Sequence, residues 1–181
     1  MAWAAGGPEM TIHGALVEVG GVGVLLRGPS GVGKSECALE LVSRGHKLVA
    51  DDVVLLERTP DGGLVGQSSE RIRHHMEIRG LGIIFVPDLF GAAAVRDRAA
   101  VELICQLERW REGADYDRLG LDRDHEELEG VSLPRLRLPA RPGGSMATIV
   151  EVAAREHRSR SGGDSAAARL DQRLRREMAG Q

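Results

Sequence analysis

The segment GPSGVGKS, residues 28–35, constrains this chain more than any other, because it matches the pattern G-x-x-x-x-G-K-[ST] at every fixed position. An apolar segment, residues 22–27, precedes it. Residues 35–44 follow it with apolar side chains at helical spacing, and Gly45 stands where a helix commonly ends. A strand, a glycine-rich loop and a helix in this order form a phosphate-binding P-loop. The motif therefore predicts an α/β domain that binds a nucleotide.

The residue types of this loop have physical reasons. Glycines let backbone amides approach phosphate oxygens, and the N-terminus of the following helix favours an anion. Lys34 is one of only two lysines in the chain, and its slim ammonium can reach the β- and γ-phosphates where a planar guanidinium fits poorly. Ser35 offers a hydroxyl to Mg²⁺. We predict these nucleotide-binding residues: Gly28, Pro29, Ser30, Gly31, Val32, Gly33, Lys34 and Ser35.

Length and composition favour one globular domain. The chain has 181 residues, 42% of them hydrophobic and 3% aromatic, so a core must be built from Val, Leu, Ile and Ala. Its formal charge is −3 and its pI is about 6.1, which removes the electrostatic argument for nucleic acid or an anionic membrane as a main partner.

Several features favour the cytoplasm. No apolar run is long enough to span a bilayer, and residues 1–10 lack the basic start and apolar stretch of a signal peptide. The two cysteines, Cys37 and Cys105, have no metal-like spacing and fit a reducing compartment as small core residues. We therefore expect a cytoplasmic protein.

The remaining patterns predict the other elements of the domain. A strand pair is expected around the glycines at 20–21, and β-rich segments flank the acids at 51–52. Further elements are expected in chain order: a hairpin turn in 59–67, a strand and loop in 76–91, a half-buried strand in 100–110, a polar surface connection in 112–130, an alternating strand in 133–139, a helix in 146–158 capped by Ser145, and a flexible linker with a short helix after Ser159.

Asp51 and Asp52 follow the P-loop helix at the next predicted strand. If that strand lies beside the first in a parallel sheet, its carboxylates reach the γ-phosphate. Adjacent residues on an extended chain point to opposite sides, so one acid would face metal or substrate while the other holds local structure. The alternative is that both are ordinary turn acids. No N-K-x-D motif for guanine and no ABC-type signature accompanies the loop.

The chain resembles the HPr kinase/phosphorylase family, bacterial enzymes that act on a serine of the phosphocarrier protein HPr. EIRGLGII at 77–84 is far more specific than a P-loop alone, and the resemblance covers about residues 13–155. The segments that carry it are residues 13–52, EIRGLGIIFVPDLFG at 77–91, LERW at 107–110, YDRLGL at 116–121, RPGG at 141–144 and IVEVAA at 149–154.

The resemblance implies a role for individual residues. His13 would lie near the transferring phosphate, and Asp52 would take the serine proton and return it in the reverse reaction. Glu77 would join Ser35 as a metal ligand, and Arg118 would approach the phosphates. From the residues alone, His13 can equally be a surface histidine, Glu77 a local cap or ion-pair partner, and Arg118 a solvated loop charge.

The resemblance also assigns phosphorolysis to a loop that contains Arg141, Pro142 and Gly143. Here the family's pattern changes, because Gly144 and Ser145 replace an arginine and an asparagine. Phosphorolysis brings inorganic phosphate and phosphoserine into one pocket, which needs more positive charge than the kinase reaction. We therefore expect kinase activity clearly stronger than phosphorylase activity.

The resemblance implies an α/β P-loop kinase domain with a mixed, mainly β central sheet. We expect an N-terminal extension at 1–12, the catalytic domain at 13–158, and a linker with a short helix at 159–181. The expected reaction is ATP- and Mg²⁺-dependent phosphorylation of a serine of HPr, with possible phosphorolysis by inorganic phosphate to give pyrophosphate. Family members usually carry a separate N-terminal domain, and the resemblance suggests a hexamer.

Two alternatives remain open from the sequence. The domain can phosphorylate another protein or a small molecule, since residues that recognise the acceptor carry no motif. It can also be a nucleotide-sensing module without turnover, although a sensor has no need of Asp52, Glu77 and Arg118 together.

Overall fold

The computed structural model describes residues 10–113, 116, 120, 123–141, 143–163 and 165–179. Its strands are β1 (Met10–His13), β2 (Ala15–Val19), β3 (Val22–Arg27), β4 (Lys47–Ala50), β5 (Val53–Arg58), β6 (Leu64–Gln67), β7 (His75–Ile78), β8 (Gly82–Phe85), β9 (Arg98–Ala100), β10 (Leu103–Arg109), β11 (Asp124–Leu128) and β12 (Val131–Ala140). Its helices are α1 (Lys34–Ser43), α2 (Val86–Phe90), α3 (Met146–Ser161) and α4 (Ala166–Ala179), with a 3₁₀ turn at Ala92–Ala94.

A six-stranded mixed sheet forms the centre, in the order β11-β12-β10-β3-β2-β4. The three strands β12, β10 and β3 run parallel, whereas β2, β4 and β11 pair antiparallel with their neighbours. Because the carboxyl ends of parallel strands share one edge, the segments after β3, β10 and β12 meet there. The P-loop therefore lies at the edge where ligands bind in such sheets.

The other strands form two smaller sheets. One is antiparallel, in the order β1-β5-β6-β9, and β7 and β8 form a separate hairpin. The predicted hairpin turn at 59–67 joins β5 to β6, and the predicted strand pair around residues 20–21 is β2 and β3. Both predictions are confirmed.

Two hydrophobic cores lie on opposite faces of the central sheet. On β3, Val24 and Leu26 face helices α1 and α3, whereas Leu25 faces the four-stranded sheet. This follows from the alternation of side chains along a strand. Because both faces of β10 are covered, Leu103, Ile104 and Cys105 are all buried, and the expected half-buried alternation is wrong there.

The ends of α1 and α3 follow from local sequence. Gly45 has a left-handed φ of 93°, its N–H bonds to the Val42 carbonyl at 2.9 Å, and the His46 N–H bonds to the Leu41 carbonyl at 3.1 Å. This is a Schellman end of α1. At the start of α3, Ser145 Oγ accepts a hydrogen bond from the Thr148 N–H, as predicted for an N-cap.

One topological expectation is wrong. The strand before the two aspartates, β4, does not pair with β3, because β2 lies between them. The two-glycine turn at 20–21 lets β2 fold back on one side of β3, and β10 occupies the other side. Since β2 is antiparallel to both neighbours, β4 still runs parallel to β3 and delivers its carboxyl end to the same edge.

Two elements were missed by the sequence patterns. The supposed surface connection contains β11, which pairs antiparallel with β12, and its Leu128 is buried. The segment 76–91 contains the hairpin and then the short helix α2, where Pro87 occupies the first turn. Proline is tolerated there because the first turn has no internal partner for its missing N–H.

The predicted division into segments at 1–12, 13–158 and 159–181 stays a prediction. Within the described residues, β1 already pairs with β5 from Met10 onwards, and α3 continues to Ser161. No helix in this described part is long and apolar enough to cross a membrane. Cys37 and Cys105 are both buried, and burial raises the pKa of each thiol to about 12.

Candidate active site

The P-loop between β3 and α1 has a backbone that its glycines make possible. Gly28, Gly31 and Gly33 have φ values of 143°, 75° and 101°. A Cβ on Gly28 would lie 2.4 Å from the Leu107 carbonyl oxygen of β10, so a side chain is excluded there. Gly33 is the N-cap of α1 and supplies no side-chain cap, which leaves the first N–H groups of the helix directed at the loop.

Lys34 lies over its own loop. Its Nζ donates hydrogen bonds to the carbonyl oxygens of Gly28 at 2.9 Å and Pro29 at 3.1 Å. Both acceptors are backbone groups at the beginning of the loop, so the ammonium is held against the loop itself. Val32, in the middle of the loop, packs against the core and anchors it.

Asp51 is the buried acid of the pair. It is only 4% exposed, and its Oδ1 accepts a hydrogen bond from Ser35 Oγ at 2.9 Å. Burial raises the pKa of Asp51 to about 6, partly offset by hydrogen bonds from the Ser35 hydroxyl and from the backbone N–H groups of Asp52 and Glu77. Asp51 is thus tied directly to the hydroxyl that a P-loop uses for its metal ion.

Asp52 points away from Asp51 toward the open side of the site. Its φ of 65° is left-handed, and its carbonyl accepts a hydrogen bond from the Gly14 N–H at 3.0 Å. Its carboxylate Oδ1 lies 4.0 Å from His13 Nδ1, with both side chains largely exposed. The two acids therefore have different environments, as expected for neighbouring residues that leave a strand.

The β7–β8 hairpin forms another wall of the site. Its residues Glu77 and Arg79 line the same cavity as the P-loop, Asp51 and Asp52. The volume of this cavity is about 570 Å³. Arg79 Nη1 lies 3.7 Å from the position of a Cβ on Gly31, so the guanidinium lies beside the phosphate loop.

Carboxylate groups share the cavity with the Ser35 hydroxyl. Asp51 is bonded to it, and Glu77 lines the same cavity. Within the part of the chain that the structure describes, no three His, Cys, Asp or Glu side chains form a complete metal site. Mg²⁺ commonly binds through one or two carboxylates together with substrate phosphates, so this donor set fits it.

The structure gathers most of the predicted site residues. Lining the cavity are His13, Gly28, Ser30, Gly31, Gly33, Lys34, Ser35, Asp52 and Glu77. Pro29 and Val32 belong to the loop without lining the cavity. Arg118 and Pro142 lie outside the described residues, and Arg141 and Gly143 follow β12 at the same sheet edge, apart from the cavity lining.

Four residues that line the cavity were not among the predicted site residues: Gly14, Glu36, Asp51 and Arg79. Arg79 lies inside the EIRGLG segment, two positions after Glu77. This spacing in an extended segment could have indicated that Arg79 lies on the same side as Glu77. The sequence indicated different roles for the two adjacent acids without a partner for Asp51, and its bond to Ser35 depends on the packing of α1 against β4.

The fold and this site define a P-loop protein of the α/β class. The sequence model of the family described as HPr Serine kinase C-terminal domain matches residues 6–174. The chain belongs to this family.

Known proteins agree with this assignment. The chain is 49% identical over 171 residues to a protein named HPr kinase/phosphorylase from Thermoanaerobacter sp. (strain X514), covering 94% of this chain and 56% of that protein. It is 47% identical to the one from Geobacter sulfurreducens, covering 94% and 54%. The chain spans about half the length of these curated relatives.

A solved structure supports the fold assignment. The structure of the Hpr(Ser) kinase/phosphatase from Coxiella burnetii superposes with a TM-score of 0.79 at 32% sequence identity, covering 86% of this chain and 94% of that chain. The predicted fold class, an α/β domain with a P-loop and a mixed central sheet, is therefore confirmed.

Proposed function

We propose that this chain is a catalytic domain that transfers the γ-phosphoryl group of ATP to a serine of HPr, with Mg²⁺ as the metal ion. The observation that carries the proposal is one cavity in which the P-loop, the exposed acid Asp52 and the hairpin residue Glu77 meet. A protein that only binds a nucleotide needs the P-loop. Transfer of a phosphoryl group to a hydroxyl also needs a carboxylate beside the loop that accepts the hydroxyl proton.

The P-loop is the proposed site of the nucleotide phosphates. Loop amides and Lys34 would hold the β- and γ-phosphates, and Arg79 adds positive charge beside the loop. Ser35 and Glu77 are the proposed metal ligands, with Asp51 orienting the Ser35 hydroxyl through its 2.9 Å hydrogen bond. Mg²⁺, when bound, offsets negative charge on the phosphate oxygens.

Asp52 is the proposed general base. The serine oxygen forms a bond to the γ-phosphorus, the bond from that phosphorus to the β–γ bridging oxygen breaks, and ADP leaves. The serine proton passes to the Asp52 carboxylate. His13, whose Nδ1 lies 4.0 Å from Asp52, is proposed to lie near the transferring phosphate.

The same residues would serve phosphorolysis. An oxygen of inorganic phosphate attacks the phosphorus of phosphoserine, the bond from that phosphorus to the serine oxygen breaks, and pyrophosphate forms. Asp52 accepts the proton of the attacking hydrogen phosphate and passes it to the serine oxygen. We assign Arg141, Pro142 and Gly143 to this half of the reaction, and we assign Arg118 to the transferring phosphates in both directions.

The proposal extends to assembly and location. We propose a homo-hexamer, for which the exposed side chains of Leu170, Leu174 and Met178 on α4 offer an apolar contact face. Sedimentation velocity of the purified protein would give the oligomeric mass. The bacterial cytoplasm is the proposed compartment, and buried free thiols suit it.

The direct test is phosphorylation of purified HPr. The protein is incubated with labelled ATP, Mg²⁺ and HPr, and mass spectrometry locates the phosphoserine, with Asp52→Asn as the matched control. Label on HPr serine that disappears with Asp52→Asn supports the proposal. ATP binding without any label transfer would indicate a nucleotide sensor, and label on another acceptor from a cell extract would indicate a different kinase.

A further inference from the structure

The loop that carries Arg141 begins beside an aromatic stack. The Arg141 guanidinium carbon lies 3.9 Å from the centre of a Trp110 ring. The Trp110 ring in turn stacks with Tyr116, with ring centres 5.7 Å apart and 17° between the planes. A guanidinium over the face of an indole is held by a cation–π contact, which is strongest with tryptophan.

Strand register explains why these residues meet. Strands β10 and β12 are parallel, and Arg109 pairs with Ala140, so Trp110 and Arg141 both follow the last paired residues. The same end of β10 touches the P-loop, because Arg109 Nη2 donates to the Ser30 carbonyl at 3.4 Å. Trp110 thus holds Arg141 next to the strand end that contacts the phosphate loop.

The far end of the loop is also fixed. The Gly144 N–H bonds to the Arg141 carbonyl at 3.2 Å, which closes a tight turn. Ser145 Oγ then donates to Glu40 at 2.8 Å and accepts from Arg44 at 3.1 Å, both near the end of α1. With both ends of the loop anchored, the direction of the Arg141 side chain depends mainly on its contact with Trp110.

We infer that Trp110 is a positioning residue for phosphorolysis, holding the Arg141 guanidinium where it meets inorganic phosphate. This inference rests on the proposed phosphorylase reaction. A guanidinium that lies flat on an indole keeps its N–H donors free at the edge, in the plane that suits a phosphate. Because Gly144 replaces the family's second arginine, the placement of Arg141 matters more in this chain.

The test compares Trp110→Leu and Trp110→Phe with the wild-type protein. Pyrophosphate release from phosphoserine-HPr is measured across phosphate concentrations, together with ATP-dependent phosphorylation of HPr. Trp110→Leu should raise the KM for phosphate about three- to tenfold and lower the ratio of phosphorolysis to kinase activity, and Trp110→Phe should fall between. Arg137→Gln is the control, since Arg137 is held by Glu108 with hydrogen bonds of 2.8 and 3.0 Å and not by Trp110.

A spectroscopic readout tests the contact without turnover. In a Trp3→Phe background, Trp110 is the only tryptophan, so its emission reports on the guanidinium above it. Arg141→Gln should change this emission, whereas Arg137→Gln should leave it as it was. Unchanged emission in Arg141→Gln would overturn the contact in solution.

The outcomes separate the two proposals. Wild-type protein that releases no pyrophosphate overturns the phosphorylase reaction and this inference with it. Wild-type phosphorolysis with the same phosphate KM in Trp110→Leu overturns this inference alone. If Trp110→Leu does not fold, the test uses Trp110→Phe, whose ring makes a weaker cation–π contact. A folded Trp110→Phe variant with the wild-type KM for phosphate would contradict positioning of Arg141 by the ring.

Discussion

At the scale of single residues, Lys34 shows why a chain rich in arginine keeps a lysine in its phosphate loop. Its Nζ lies within 3.1 Å of two backbone carbonyl oxygens, Gly28 and Pro29, inside a turn that glycines keep narrow. A guanidinium is wider and planar, so it cannot occupy the same place without moving the loop.

We predict that Lys34→Arg abolishes phosphoryl transfer, lowering it more than about 100-fold, while the fold is kept. The positive charge remains, so only its shape and reach change. Turnover and thermal unfolding are measured together, with Lys47→Arg, the same substitution at the chain's other lysine, as the control. Near-normal turnover in Lys34→Arg would refute the argument about shape.

Substitution of Asp51 and substitution of Asp52 are predicted to have different effects. Asp52→Asn should lower the kinase rate by about two to four orders of magnitude with little change in ATP affinity, since the proposed base acts on the acceptor hydroxyl. Asp51→Asn should instead weaken apparent Mg²⁺ affinity by about 10- to 100-fold, because Asp51 orients Ser35, and should be milder in rate at saturating Mg²⁺.

Steady-state kinetics over a range of Mg²⁺ concentrations separates these effects. The two variants are matched controls for each other, because each substitution removes one carboxylate charge at adjacent positions. They differ in burial, since Asp51 is buried and Asp52 is exposed. Equal loss of rate from both at saturating Mg²⁺ would contradict the division of labour.

At the scale of elements, we expect the turn after β12 to set the balance of the two proposed reactions. Gly144 has an ordinary backbone conformation, and a Cβ there would lie 3.5 Å from the Arg141 carbonyl oxygen, so a larger side chain fits. Gly143 has a φ of 76° and does not share this tolerance. Arg79 and Arg137 are the two arginines that could replace the one missing at position 144. Arg137 is held by Glu108, whereas Arg79 lines the P-loop cavity.

We predict that Gly144→Arg with Ser145→Asn raises pyrophosphate release from phosphoserine-HPr about tenfold, the value of one added charge-assisted hydrogen bond. ATP-dependent phosphorylation should stay roughly unchanged. Ser145→Asn alone should be neutral in both directions, because asparagine caps a helix as well as serine does. Strong wild-type phosphorolysis that the double substitution leaves unaltered would show that the departure from the family pattern is harmless.

At the scale of the whole molecule, Asp51 ties folding stability to pH. A pKa raised by burial means that the folded state binds the proton more tightly than the unfolded state. For this group, stability therefore rises as pH falls through the window between about 6 and 3.8, and the full cost of the buried charge is present above pH 6. A pKa raised from 3.8 to about 6 corresponds to about 3 kcal/mol.

We predict that the stability difference between Asp51→Asn and wild type depends on pH in the same window. The free energy of unfolding of the variant relative to wild type should be most favourable near pH 7 and should decrease by about 2 kcal/mol by pH 4. Urea unfolding of both proteins at several pH values in EDTA measures it. A difference that is constant with pH would contradict the raised pKa.

Local sequence was sufficient for part of this protein. The P-loop, the turn at Gly20 and Gly21, the end of α1 at Gly45 and the cap of α3 at Ser145 were all predicted and observed. Each depends on backbone freedom or hydrogen bonds between residues only a few positions apart. The family resemblance likewise rests on contiguous segments.

Only the tertiary structure decided how the strands are ordered and what surrounds each acid. The insertion of β2 between β3 and β4, the pairing of β11 with β12, the burial of Asp51 against Ser35 and the contact of Trp110 with Arg141 join residues far apart in the chain. The spacing of apolar residues, every second residue in a strand or every 3.6 residues in a helix, shows which side of an element is apolar. It does not show which other element covers that side. Strand order depends on which pairings bury both faces of the sheet, so it is a property of the whole domain.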